Sequence, residues 1–127
     1  MLRVLMVDDE PDLDLLIQQR FRKKIKEGIV SINFARNGSE ATDMIDHAES
    51  PSKRPHIVVT DLNMPEMNGL ELLIHIKKQY PEINVYIVSA YSDQDSVKTA
   101  KNAGADGFLF KPINFSDLDE IIEKNLV

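Results

Sequence analysis

The sequence predicts an α/β domain, a three-layer α/β/α sandwich in which a five-stranded parallel sheet lies between two layers of helices. Three observations lead there. Short apolar runs alternate five times with longer stretches whose apolar residues recur at helical spacing, the pattern of strands joined by helical crossovers. The length, 127 residues, suits a single domain spanning 1–127. A content of 43% hydrophobic and 28% charged residues matches ordinary globular chains and excludes disordered and collagen-like ones.

The first apolar run, Leu2 to Val7, stops at Asp8, Asp9, Glu10 and Pro11. Leu13, Leu16, Ile17, Phe21 and Ile25 then mark one helix, which Gly28 ends as a residue able to take positive φ. Ile29 to Ala35 is the second strand, broken by Asn37, Gly38 and Ser39 before a helix carrying Ala41, Met44, Ile45 and Ala48. Glu49 to Pro55 holds two prolines, two serines and the Lys53-Arg54 pair, so it reads as an exposed loop. His56 to Thr60 is the third strand, and Asp61 opens the turn-rich stretch DLNMPEMNG. Leu70, Leu73, Ile74 and Ile76 predict the third helix, ended by Tyr80 and Pro81. Asn84 to Ala90 is the fourth strand, and Ser92 is expected to cap the helix after it. That fourth helix offers only Val97, Ala100 and Ala103 to a core before Gly104, the thinnest apolar face of the five. Gly107 to Phe110 is the fifth strand, and Ser116 is expected to cap a fifth helix carrying Leu118, Ile121, Ile122 and Leu126.

Charge and composition remove several functions. Lys and Arg total 15 against 21 Asp and Glu, a net charge of −6 that opposes nucleic-acid and anionic-membrane binding, where affinity comes from phosphate neutralisation. The chain has no cysteine, which excludes disulfides, thiolate zinc sites and cysteine nucleophiles. His47, His56 and His75 lack metal-ligand spacing and read as structural or surface residues. No apolar run approaches the roughly 18 residues of a membrane span, and the apolar start meets Asp8 and Asp9 too early for a signal peptide, so a cytoplasmic protein is expected. The basic run Arg20, Arg22, Lys23, Lys24 and Lys26 falls at the end of the first helix, where cations favour the macrodipole, and is expected to be a solvated face.

In open α/β sheets the functional crevice lies beyond the carboxyl ends of the strands. Asp8 and Asp9 follow the first strand, Asp61 the third and Lys111 the fifth, while Ser89 lies in the fourth. Three converging carboxylates repel one another unless a cation or protons offset the charge, and oxygen ligands of this kind suit Mg²⁺. Lys111 adds a fixed positive charge, and metal plus lysine make an anion-receiving pocket. One carboxylate can then act as nucleophile toward phosphorus. Asp61 is the candidate, being central in the sheet and followed by a loop that can offer backbone groups to a metal, with the Ser89 hydroxyl as a donor to a phosphoryl oxygen. Alone, Asp8, Asp9 and Glu10 before Pro11 favour a helix start, Lys111-Pro112 a turn, and Ser89 a satisfied strand hydroxyl; the joint pattern favours the site.

At these residues the chain resembles the receiver domain of two-component response regulators, the chemotaxis-regulator fold. The matching text is VDDE at 7–10, DLNMPEMNG at 61–69, SA at 89–90 and KP at 111–112, and the likeness covers essentially the whole chain. The resemblance implies the flavodoxin-like strand order 2-1-3-4-5 with five helices. It implies that Asp61 accepts phosphate from a sensor histidine kinase or phosphotransfer protein. It implies that Asp9, Asp61 and the Asn63 carbonyl ligate Mg²⁺ (or Mn²⁺), with Asp8 acting mostly through water, and that Lys111 pairs with the phosphoryl group next to a cis Lys111-Pro112 bond. Ser89 and Phe108 are the implied switch pair, and Asn63 and Tyr91 the positions that tune phosphate lifetime. The implied output surface is the fourth helix, fifth strand and fifth helix, read by a downstream effector domain or protein or used in a phosphorylation-linked homodimer. Ser89 and Phe108 stand where the family more often has threonine and tyrosine. On this reading the chain is a switch and not an enzyme, either complete or the receiver part of a longer regulator or hybrid kinase.

Three other functions share parts of this pattern. A dehalogenase-like phosphatase also combines a nucleophilic Asp with Mg²⁺, but requires a second Asp where Asn63 stands. An FMN protein needs a phosphate cradle where Asp8, Asp9 and Glu10 would repel one. A phosphorylation-independent pseudo-receiver would not need Asp8, Asp9, Asp61, Ser89 and Lys111 together.

Overall fold

The computed structural model describes residues 1–64, 67–90 and 92–126. Its strands are β1 (Leu2–Val7), β2 (Val30–Ala35), β3 (Ile57–Asp61), β4 (Asn84–Ser89) and β5 (Gly107–Phe110). They pair in parallel in the order β2-β1-β3-β4-β5, with Val7 opposite Ala35 and Thr60, Asp61 opposite Val88, and Ser89 opposite Phe110. The helices are α1 (Pro11–Arg20), α2 (Arg22–Lys26), α3 (Gly38–Asp46), α4 (Gly69–Gln79), α5 (Gln94–Asn102) and α6 (Phe115–Asn125).

Alternation along β1 divides the core. Leu2, Val4 and Met6 join Ile17, Phe21, Leu118 and Ile122 under α1, α2 and α6. Leu5 and Val7 join Ala41, Ile45, Leu72, Leu73, Ile76 and Ala100 under α3, α4 and α5. The successive side chains of a strand point to opposite faces, so a strand covered on both sides is apolar throughout. All five residues of β3 are buried, which is why Ile57 to Thr60 reads as a continuous run, while His56, expected to open the strand, lies exposed just before it.

Among the described residues six α-helices replace the five predicted. The stretch from Leu13 to Ile25 divides at Phe21, whose φ of −105° and ψ of 15° interrupt the helix. The joint is shallow, because the Phe21 N–H still donates to Ile17 and its carbonyl still accepts from Ile25, both at 3.0 Å. Apolar periodicity counts positions on a face and does not register one residue's torsions. Gly28 closes α2 with φ of +73°, and the Ile29 N–H donates to the Lys24 carbonyl across it, as a helix stop of this kind requires.

Both expected serine caps are displaced. Asp93, not Ser92, caps α5 by accepting from the Ser96 N–H, and Asn114, not Ser116, caps α6 by accepting from the Ser116 N–H. Asp and Asn rank with Ser at this position, so a neighbouring serine does not decide the start. Three expected core residues are exposed, Leu16 by 49%, Met44 by 38% and Ile74 by 51%; Leu72, with Leu73 and Ile76, takes the inner face of α4. The thin face expected of the fourth helix is found in α5, where Ala100 alone is fully buried.

Candidate functional site

Parallel strands that end together bring their terminal residues to one rim. Asp61 is the last residue of β3 and Ser89 the last of β4; Asp8 and Lys111 come directly after β1 and β5. Carboxylate oxygens of Asp8, Asp9 and Asp61 lie within 4.8 Å of one another. Asp61 is 3% exposed, and Lys111 Nζ donates to its Oδ2 over 2.8 Å. The Asn63 N–H donates to the other oxygen, Oδ1, over 3.2 Å, which turns the loop after β3 toward the site. Asp8 is held by the Glu10 N–H at 2.9 Å.

The electrostatics follow from this crowding. Burial raises the Asp8 carboxyl above its ordinary value, and the neighbouring Asp61 and Asp9 carboxylates add to the rise against the Glu10 N–H and Lys111. Burial alone would lower the Lys111 ammonium, but its hydrogen bond and attraction to Asp61, with Asp8 and Asp9 behind, outweigh this and raise it. One lysine faces three carboxylates, so the cluster carries surplus negative charge. Hard oxygen donors with surplus charge and one exposed member, Asp9, fit a divalent cation that keeps waters.

Ser89 is 1% exposed, and its hydroxyl donates to the Ala90 carbonyl at 3.3 Å, not to Asp61. Phe108 is half-buried and packs against the core cluster that includes Ile87 and Ala100. The Lys111-Pro112 peptide is cis, and the Lys111 N–H donates to the Ser89 carbonyl at 2.9 Å, fixing the start of the loop that carries the ammonium. Tyr91 lies outside the described residues. The structure therefore brings Asp8, Asp9, Asp61, Asn63 and Lys111 together, with Ser89 beside them and Phe108 one strand further out.

Sequence reasoning missed the residues that hold Asp61 in place from behind. A Cβ on Gly69 would come within 2.3 Å of the Asp61 carbonyl oxygen and 2.8 Å of Leu62 Cα, so only glycine lets α4 start against the end of β3. Gly38 does the same for the loop: its N–H donates to the Met67 carbonyl at 3.1 Å, and a Cβ there would lie 2.3 Å from that oxygen. Met67 itself takes φ of +45°, unusual for a side chain of its size. Asn68 and Glu71 close a reciprocal capping box at the start of α4, a signal that Asn-x-x-Glu does carry in the sequence.

A family model described as the response regulator receiver domain matches residues 4–123. The sporulation initiation phosphotransferase F of Bacillus subtilis is 30% identical over 124 residues, 98% of this chain and 93% of that protein. The transcriptional regulator NtrC of Proteus hauseri is 32% identical over 121 residues, 95% of this chain but 24% of NtrC. The regulatory protein YesN of B. subtilis is 37% identical over 99 residues, 75% of this chain and 26% of YesN, so the chain spans about a quarter of these two regulators. Among solved structures, the receiver domain of a histidine kinase from Syntrophus aciditrophicus superposes with a TM-score of 0.80 at 26% identity, covering 99% of this chain and 90% of that one. A chemotaxis-regulator-like receiver protein from Methanospirillum hungatei gives 0.78 at 27%, covering 99% and 94%.

Proposed function

This chain belongs to the response regulator receiver domain family of two-component signalling, and from that premise we propose that Asp61 is its phosphoacceptor. The observation that carries the assignment is the meeting of three carboxylates within 4.8 Å around Asp61, with Lys111 bonded to it at 2.8 Å. An Asp61 oxygen attacks phosphorus of a phosphohistidine on a sensor histidine kinase or phosphotransfer protein. The P–O bond forms as the P–N bond breaks, and the departing imidazole retains the electron pair and takes a proton from solvent. Lys111 holds Asp61 before transfer and turns its ammonium to a phosphoryl oxygen afterwards. Asp8, Asp9, Asp61 and the Asn63 carbonyl would hold Mg²⁺ or Mn²⁺, which when bound supplies positive charge against the transferring oxygens.

Phosphorylation adds a charge of roughly −1.5 to −2 at this rim. Ser89 leaves the Ala90 carbonyl for the phosphoryl group, Phe108 moves into the freed space, and the surface of α5, β5 and α6 changes. Asn63 and Tyr91 tune the lifetime of the phosphate. The chain acts as a cytoplasmic switch, with no chemistry beyond its own phosphorylation and dephosphorylation. Its output goes to a downstream effector domain or protein or to a phosphorylation-linked homodimer; no part of it binds nucleic acid or membrane. Among the described residues no helix is long and apolar enough to cross a membrane.

The test is labelling by acetyl phosphate or a phosphorylated kinase with Mg²⁺. Wild-type protein is expected to take up the label, a chelator to prevent it, and Asp61→Asn to abolish it; label retained in Asp61→Asn would place the nucleophile elsewhere.

A further inference from the structure

At the opposite end of the sheet from Asp61, where β1, β3 and β4 begin, a concavity of about 560 Å³ is lined by residues that include Arg3, Ser52, Arg54, His56, Glu82 and Asn84. Its volume is that of a small-molecule site. Two arginines line it, Arg3 and Arg54. Arg3 Nε donates to the Arg54 carbonyl at 2.8 Å, while the Arg3 N–H donates to His56 Nδ1, also at 2.8 Å. The Arg54 guanidinium lies 4.4 Å from the centroid of the Tyr80 ring, a stacking that fixes its plane in advance of any ligand.

Neither arginine at this site is closed into an ion pair. Arg54 Nε is buried without a hydrogen-bond partner, although buried polar groups are nearly always paired. Among the described residues no carboxylate forms an ion pair with Arg3 or Arg54, in a chain with 21 acids to 15 basic residues. Glu82 lines the concavity but stays beyond that distance. A second sign of a positive field comes from His56, whose imidazole is lowered first by burial and then by Arg3 and the chain's own N-terminal ammonium. Guanidinium forks match the oxygens of a tetrahedral phosphate, and a dianion would neutralise both arginines at once.

We propose that this concavity binds a small phosphate-class oxyanion between the guanidinium groups of Arg3 and Arg54. No residue is shared with the Asp61 site, so the proposal stands apart from phosphotransfer. The ligand is either a free inorganic phosphate or the phosphomonoester end of a small metabolite.

The experiment is a magnetic-resonance titration of the full chain with inorganic phosphate, pyrophosphate and adenosine monophosphate, without Mg²⁺ and at constant ionic strength in chloride. Saturable shifts are expected at the Arg3, Arg54 and His56 amides. Tighter binding of pyrophosphate would identify a free phosphate, and of the monophosphate a metabolite; either supports the site. Arg54→Lys, which keeps the charge but loses the fork, and Arg3→Gln are each expected to weaken binding about tenfold or more, while Glu82→Gln tightens it. Should Arg54→Lys fail to fold, Arg3→Gln and Glu82→Gln decide. Shifts that do not saturate, that sulfate and chloride reproduce equally, that fall only near Asp61 and Lys111, or that survive these substitutions unchanged would overturn the proposal.

Discussion

Asp61 sits where burial and charge conflict. This carboxylate is 3% exposed and close to two others, and a single lysine faces all three. Asp8 records that conflict. With its folded-state pKa raised above 3.8, the folded protein holds a proton that the unfolded chain has already released. Stability from this group is therefore full below the unfolded pKa and is lost as pH rises through the folded one. Denaturant titrations of metal-free protein between about pH 3.5 and 7 are expected to show that fall, and Asp8→Asn to flatten it. An unaltered pH slope in Asp8→Asn would contradict the assigned crowding. Gly69 bears by steric means on the backbone that carries Asp61. Gly69→Ala forces a methyl toward the Asp61 carbonyl, where a Cβ would sit at 2.3 Å. The expected cost is about 1–3 kcal/mol or more in denaturation midpoint analysis, together with slower labelling of Asp61. Wild-type stability and labelling in that variant would show that β3 and α4 can separate freely.

Between the neighbouring helices α4 and α5, α5 is the more easily moved. It buries only Ala100, whereas α4 buries Gly69, Leu72, Leu73 and Ile76. Few buried contacts mean low-energy local opening, so amide hydrogen exchange is expected to be faster through 94–102 than through 69–79. Equal protection of the two helices would remove the reason for placing the switch surface there. The other side of the sheet carries a long-range ion-pair link. Lys24, read from sequence as part of a solvated basic face, pairs with Asp119 and Glu123 and so links α2 to α6. That pairing spans more than ninety residues of chain, and a local charge run carries no sign of it. The cap shifts at Asp93 and Asn114 have a similar origin: both competitors sit within two residues of the serine expected, and loop geometry decides between them.

For the whole molecule, five apolar runs and their polar stops made the sheet legible, because parallel strands covered on both faces are continuously apolar and end at a common rim. Asp8, Asp9, Asp61, Ser89 and Lys111 were legible for the same reason: each stands where a run stops. The strand order was not, since alternation alone does not say which strand lies beside which, and it entered through family resemblance. The packing roles of Gly38, Gly69 and Met67 were not legible, because they lie in backbone surfaces that meet only after folding. Arg3 and Arg54 escaped it because they are 51 residues apart and share no motif. The molecule that results has two ends, an acidic rim after the strands and a basic hollow before them. What the rim does depends most on one residue. Reduction of the freshly labelled wild-type protein, followed by peptide mass spectrometry, locates the acyl phosphate directly: it is predicted on Asp61 alone, and its discovery on Asp8, Asp9 or another side chain would contradict the assignment.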